Sequence, residues 1–346
     1  METNSRMERR MVPMEEKIEI VVKPRLLGSI GRSWDGPLSQ MSPLLYEIEG
    51  QSSPDKKALA EAGICDKNGA ILQSVRPAIE VLATAKAFSR IYFTKSPGNI
   101  FEYIVYMTPD GRTASIINEA GDQRINYPAL TEPVFVGIGQ MLGTSDISNC
   151  EFGVDLTAGE ALVFSAMMDH QRRAFLRALA DDKEQVPVLI EMDKIAPIVS
   201  EGETDYQKFV SILREMLDIR GTFMVEIVPG ALDGLVSKGL VKKEGKLWSL
   251  TGPALLLSRR FLILERYLTM TAGHFDNENK LGLTGLTCIQ SGINDILMIE
   301  ATKASARLET ISSARLLDYL GAFMTPGQLT WPSQSTPRVS LGSKRP

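Results

Sequence analysis

The chain has 346 residues, 44% hydrophobic and 23% charged, enough to bury one large core or two smaller ones. A formal net charge of −4 and a pI near 5.5 exclude a general electrostatic attraction to nucleic acid or an anionic membrane. Three scattered cysteines, Cys65, Cys150 and Cys288, with no CxxC among them, exclude a disulfide framework and read as reduced, buried thiols.

Residues 1–16 are polar and charged, lack the apolar centre of a secretory signal and read as a disordered leader. Ile18–Val22 reads as a strand, followed to about Pro54 by loop with a little helix. Lys56–Ala62 is a short helix stopped by Gly63, a natural left-handed C′ residue. ICDKNGAIL then predicts a hairpin around Asn68-Gly69, and Pro77 opens a helix to about Phe88. Arg90–Thr94, Phe101–Met107 and Thr113–Asn118 are strands, the last two half-buried by their alternation and joined by a turn at Pro109-Asp110-Gly111. Pro133 starts a helix to about Leu142.

The middle of the chain is helical. Thr157 and Glu160 form a capping box at the head of a long helix to about Ala180, with Leu162, Ala166, Arg173 and Leu176 at helical spacing and Phe175 and Leu179 extending the stripe. A second helix, Asp205–Leu217, places Phe209, Ile212, Leu213 and Met216 on one face. VPVLIEM, between the two, fits a strand or a connector equally.

The last third repeats the first. Shifted by 176 positions, Lys56–Ile91 lies without a gap on Leu232–Tyr267. Seven of the first 35 pairs are identical, against roughly two expected from composition. Gly63/Gly239, Gly69/Gly245 and Pro77/Pro253 fall at a helix stop, a hairpin turn and a helix start, positions that have a backbone reason for those residues. Leu286–Gln290 and Ile296–Glu300 continue as strands and Ile311–Phe323 as a closing helix. The expected fold is α+β: two quasi-two-fold related copies of a helix–hairpin–helix–antiparallel-strand module with flanking helices. The first module spans 17–144, connecting helices 145–218, the second module 219–324, and a disordered Pro/Ser-rich tail 325–346. Trp331 in that tail is either an adventitious aromatic or a docking anchor.

No residue set reads as a catalytic centre, a cofactor cradle or a metal site. His170 and His274 are 104 residues apart. Asp169-His170 lies within a helix, where neighbours diverge and form no relay, and His274 falls in an expected polar loop, AGHFDNENK. Gly137, Gly139 and Gly143 form GxGxxxG inside a helix and not between strand and helix, so helix packing explains them better than dinucleotide binding. Asp181-Asp182 and Glu201/Glu203 read as solvated surface. The second hairpin unit, LVSKGLVKKEGKLWSLTGPA, has the outline of a winged helix. Its helix offers Asp233 and one Lys238, although Lys242, Lys243 and Lys246 enrich the wing; the first copy sets Lys56 and Lys57 against Asp55 and Glu61. The longest apolar run, Ala254–Leu264, is interrupted by Ser258, Arg259 and Arg260, so no membrane span is expected and the cytoplasm is the expected location.

The run ALAEAGICDKNGAILQSVRPAIEVLATAKAFSRIYF, followed by a strand pair around a PDG turn, resembles the repeated half of the EspG proteins, cytosolic chaperones of type VII (ESX) secretion. The likeness covers roughly Lys56–Asn118 and Leu232–Glu300, carried by the Gly and Pro positions; the leader, the acidic 181–207 connector and the tail have no counterpart in it. It implies a central β-sheet flanked by helical bundles and a non-catalytic chaperone or adaptor that holds the helical tip of a secretion substrate. It assigns no partner-binding residues. A winged-helix DNA-binding regulator and an unrecognised enzyme are the alternative readings.

Overall fold

The computed structural model describes residues 17–45, 53–96, 99–119, 121–184, 186–200, 205–219, 225–275 and 280–326. The leader at 1–16, Glu201, Glu203 and the tail beyond Pro326, Trp331 included, lie outside the described residues.

In chain order the elements begin with β1 (Ile18–Val22), α1 (Leu26–Ser33), a 3-10 turn at Pro43–Leu45 and α2 (Lys56–Glu61). Asp55 caps α2, its Oδ1 accepting from the amide of Ala58 at 3.1 Å, and Gly63 ends it at φ +69°, as the sequence predicts. The expected hairpin is reduced to one bridge, Cys65 to Ile71. Its turn begins at Asp66: the carbonyl accepts from Gly69 N (3.0 Å) and the carboxylate from the amides of Asn68 and Ala70. α3 (Arg76–Thr84) stops before Phe88, because β2 (Ala87–Ser96) takes that residue. β3 (Asn99–Met107) and β4 (Thr113–Glu119) follow, then β5 (Asp122–Tyr127), which sequence reading misses because DQR opens it without an apolar alternation, and α4 (Glu132–Leu142).

The segment expected to hold only connecting helices starts with a strand, β6 (Gly153–Thr157), that runs directly into α5 (Ala158–Ala180) through the predicted capping box. Next come β7 (Ile190–Glu191), which settles VPVLIEM as mostly connector, a 3-10 turn at Met192–Lys194, α6 (Ile195–Ser200), α7 (Phe209–Met216) and α8 (Ile227–Ser237). The hairpin β8 (Val241–Glu244) and β9 (Leu247–Leu250), α9 (Gly252–Arg260), β10 (Arg266–Phe275), β11 (Leu281–Ser291), β12 (Asp295–Ala301), β13 (Ser305–Ile311) and α10 (Ser313–Met324) complete the fold. His274 therefore lies in a strand, not in a polar loop. The chain is α+β with extensive antiparallel sheet.

Two compact units divide the chain at other points than the sequence modules: Met1–Lys86 with Val105–Leu130, and Ala87–Ile104 with Thr131–Pro346. In the first, strands run in the order β1-β5-β4, and Ile20, Ile125 and Ile116 form a buried cross-strand row. α3 packs on β4 and β5, burying Ala78, Ile79, Val81 and Leu82.

In the second unit the order is β3-β2-β10-β11-β12-β13-β6, and the register fixes two faces. Ile91 and Phe93 of β2 stand beside Met270 and Leu268 of β10 on the face toward α10, which buries Leu316, Leu320 and Phe323. On the other face, Ile289, Leu297, Ile299, Ala306 and Leu308 join the core formed with α5, α7, α8 and α9. Ile91 and Tyr267, matched in the ungapped repeat, thus point to opposite faces. The 176-residue offset holds for both ends of α3 and α9, but two residues separate Thr84 from β2 and five separate Arg260 from β10. An odd insertion flips every side chain that follows it in a strand.

The expected stripe of α5 is also corrected. Leu176 and Leu179 are exposed, and Arg172, not Arg173, is the buried arginine. Asp169 and Arg172 pair at 2.7 Å inside the helical core, both almost fully buried. The carboxylate of Asp169 also accepts from the amides of Phe209 (3.1 Å) and Val210 (3.0 Å), so a residue of α5 caps the N-terminus of α7. Arg172 donates to the carbonyls of Phe261, Leu262 and Gln207 at 2.5, 2.9 and 2.8 Å and lies over the ring of Phe209. Burial pushes the Asp169 carboxyl up and the Arg172 guanidinium down, each against the pull of the other.

Two stability tests follow. Arg172→Met leaves Asp169 buried and uncompensated, and should cost about 3–5 kcal/mol in urea unfolding; adding Asp169→Asn should restore part of that loss. Gly69 and Gly245 sit at φ +90° and +65°, so Val at either should cost roughly 1–3 kcal/mol, whereas Gly153→Val, at an extended strand position with open space around its would-be β-carbon, should leave Tm nearly unchanged. Equal Tm for all three variants would contradict the two turns.

Candidate functional site

An open groove of about 1710 Å³ lies on the second unit, over the part of the sheet that α5–α9 leave uncovered. Its floor follows from strand alternation. In β10, Leu268, Met270 and Ala272 point into the α10 side, so Thr269 and Thr271 point into the groove. Across the ladder Thr287 and Gly285 stand opposite them on β11, and Tyr92 and Arg90 on β2. The floor is therefore low over β10 and β11, where it is built of threonine and glycine, and rises at β2 to Tyr92 and Arg90.

One rim is apolar. Leu281 and Leu283 of β11 and Ile100 of β3 are about half exposed. Gly273 lets the ring of Phe88 and the side chain of Leu283 close over it, because a β-carbon there would lie 2.5 Å from Phe88 Cε1 and 2.9 Å from Leu283 Cδ2. The other rim is α7, through Ile212, Glu215 and Met216, preceded by Tyr206.

The same network that caps α7 holds this rim. Gln207 donates its amide to the carbonyl of Leu264 (2.7 Å) and accepts from the amide of Leu264 (3.1 Å), and the hydroxyl of Tyr267 donates to the carbonyl of Tyr206. The rings of Tyr206 and Tyr267 meet at 6.0 Å, inclined by 57°. Burial pushes the Tyr267 hydroxyl well above the usual range and also raises that of Tyr92, which feels Tyr206 next. Arg90 is committed to Glu102 at 2.5 Å.

Sequence reading assigned no residue of this groove. The alternating LTMTAG of β10 was its one visible signal, and the expected loop at His274 obscured it. Of the residues that were singled out, His274 lines the groove, and the others lie elsewhere or serve the fold. His170 is half-buried on α5 with its pKa lowered by burial and by Arg173 and Arg177. Asp169 caps α7. Cys65, Cys150 and Cys288 are buried, unpaired, and raised by burial, which suppresses the thiolate. Helix packing accounts for Gly139, 3.5 Å from Leu317 of α10 by its would-be β-carbon, but Gly137 faces open space and Gly143 ends α4 at φ +80°. Asp181 and Asp182 are exposed. Among the described residues no group of three or more His, Cys, Asp or Glu is placed to hold a metal ion, and no helix is long and apolar enough to cross a membrane.

The winged unit is built into the helical core. α8 packs on α5 through Val228, Ala231, Leu232 and Leu235, and Gly234 allows the approach, since a β-carbon there would collide with Oε1 of Glu160. Lys238 donates to that same oxygen at 2.8 Å, Lys242 pairs with Glu244 at 2.5 Å, and Lys243 lies over the ring of Trp248. Comparison with protein-family models gives no match, and comparison with curated proteins gives no significant one.

Glu160 provides a test by pH. Burial pushes its carboxyl up, but Lys238 and the amide of Thr157 outweigh that and hold it below its ordinary value of 4.5. A depressed folded-state pKa means that its contribution is complete at neutral pH and is lost as pH falls through the folded value. Unfolding measured from neutral to acid pH should therefore show a shallower stability loss in Glu160→Gln than in the parent. Identical slopes would remove Glu160 from the acid response.

Proposed function

We propose that this protein is a non-catalytic chaperone or adaptor that works in the cytoplasm and holds a segment of a protein partner in the groove of its second unit. The observation that carries the reading is the groove's size and lining together. At about 1710 Å³ it exceeds the roughly 300–1,000 Å³ typical of small-molecule sites. Its low Thr/Gly floor lets a partner backbone come close, and its half-exposed Leu281, Leu283 and Ile100 offer apolar contact along one side. The resemblance to the EspG chaperones supplies the class of partner, a helical segment of a secretion substrate. A groove-entering helix for DNA is disfavoured by α8, whose outward residues Pro229, Gly230, Asp233 and Ser237 carry no positive charge.

We also propose that the chain arose by duplication of one module. Supporting this, helix, hairpin or bridge, helix, four strands and helix recur in the same order, from α2 to α4 and from α8 to α10. A leading strand pairs antiparallel with the fourth strand each time, β1 with β5 and β6 with β13. Gly63 and Gly239 share φ +69°.

The functional reading is tested by affinity capture from the native host with the intact chain and with Thr271→Trp, which fills the floor. The partner captured by the parent should fall by about tenfold or more in the variant, with Tm unchanged. Undiminished capture by a folded Thr271→Trp protein would move the partner site elsewhere.

A further inference from the structure

The groove's aromatic and acidic side matches the chemistry of one segment of this same chain. Tyr92, Tyr206 and Tyr267 cluster at the α7 rim, and Glu215, Asp218 and Glu265 line that side. Of the lining cations, Arg90 is held by Glu102, and Lys303 stands on the β12–β13 turn. Aromatic-lined grooves flanked by carboxylates take extended, proline-containing segments that carry a basic residue: proline fixes φ and lowers the entropy lost on docking, rings pack on the pyrrolidine faces, and the cation meets the carboxylates.

Residues 327–346, GQLTWPSQSTPRVSLGSKRP, have that composition. They contain Trp331, Pro332, Pro337 and three basic residues, Arg338, Lys344 and Arg345, with no Asp or Glu. They continue from α10, which packs beneath β2 and β10, two of the strands whose other face forms the groove floor. Twenty residues reach at most roughly 66–72 Å, several times the ~10 Å spacing between stacked layers, so the chain is long enough to come round the sheet.

We infer that residues 327–346 are an intramolecular occupant of the groove, with Trp331-Pro332 at the tyrosine cluster and Arg338 toward Glu215 and Asp218, and that a partner must displace them. The inference rests on the groove being the partner site proposed above. It makes binding self-limiting: the tail lowers the apparent affinity by the fraction of molecules in which it is seated.

The test uses the full chain. Trp331 emission is obtained as the difference between the parent and Trp331→Phe, which cancels Trp34 and Trp248. Seating predicts blue-shifted emission with acrylamide quenching at least about threefold weaker than in Glu215→Lys or Tyr206→Ala, both exposed positions whose substitution should leave Tm unchanged. The signal should be independent of protein concentration and weaken with salt. Reversing Arg338, Lys344 and Arg345 to Glu should raise partner capture several-fold. Emission typical of free indole in the parent, or quenching indifferent to Glu215→Lys and Tyr206→Ala, would overturn the inference, as would a signal that grows with concentration. Loss of capture in Thr271→Trp without any tail effect would leave the groove as partner site and reject the tail. A tail signal abolished by Glu215→Lys, with capture indifferent to Thr271→Trp, would do the reverse.

Discussion

The buried pair of Asp169 and Arg172 organises the helical layer of the second unit. One carboxylate closes the N-terminus of α7, and one guanidinium takes the carbonyls of Phe261 and Leu262 just after α9 and of Gln207 just before α7. Two pieces of chain distant in sequence, 207–210 and 261–262, are thereby fixed to a single turn of α5. Removing two charges from water is costly, and the pair is tenable only because each side also satisfies backbone groups that would otherwise be buried without partners. The groove rim inherits its position from this arrangement: Gln207, held through its carbonyl by Arg172, reaches on to Leu264, and Tyr206 beside it accepts from Tyr267.

A second constraint is the division of labour on one sheet face. Where the helical layer covers it, β11 to β13 present Ile289, Leu297, Ile299 and Leu308. Where it does not, the same pleat presents Thr269, Thr271, Gly285 and Thr287. Threonine keeps the β-branch that favours a strand while putting a hydroxyl toward water, so the open part of the face stays extended without exposing a broad apolar surface. Leu281, Leu283 and Ile100 depart from that pattern, and they lie along one rim.

The winged unit illustrates how the same sequence pattern serves packing. Its helix is buried on α5, and Lys238, Lys242 and Lys243 are engaged by Glu160, Glu244 and the ring of Trp248. Gly234, inconspicuous in sequence, is the residue that admits the Glu160 carboxylate between α5 and α8.

The sequence by itself determined the local elements whose signals are local. The capping box at Thr157 and Glu160, the Pro-led helices, the left-handed glycines at 63, 69, 239 and 245 and the strand at Ile18–Val22 each depend on a few neighbouring residues and their backbone preferences. It also carried the recurrence of elements, although the ungapped match misplaced Tyr267 once an odd insertion after α9 reversed the strand faces. Tertiary structure alone decided the rest. β5 and β6 are strands because β1, β4 and β13 supply hydrogen-bonding partners, not because of their own alternation. Whether Arg172 or Arg173 faced inward depended on where α7 and the end of α9 present their orphan backbone groups. The groove is a property of which strands the helical layer leaves bare, and no window of sequence holds that information, since its floor joins β2, β10 and β11 across almost two hundred positions.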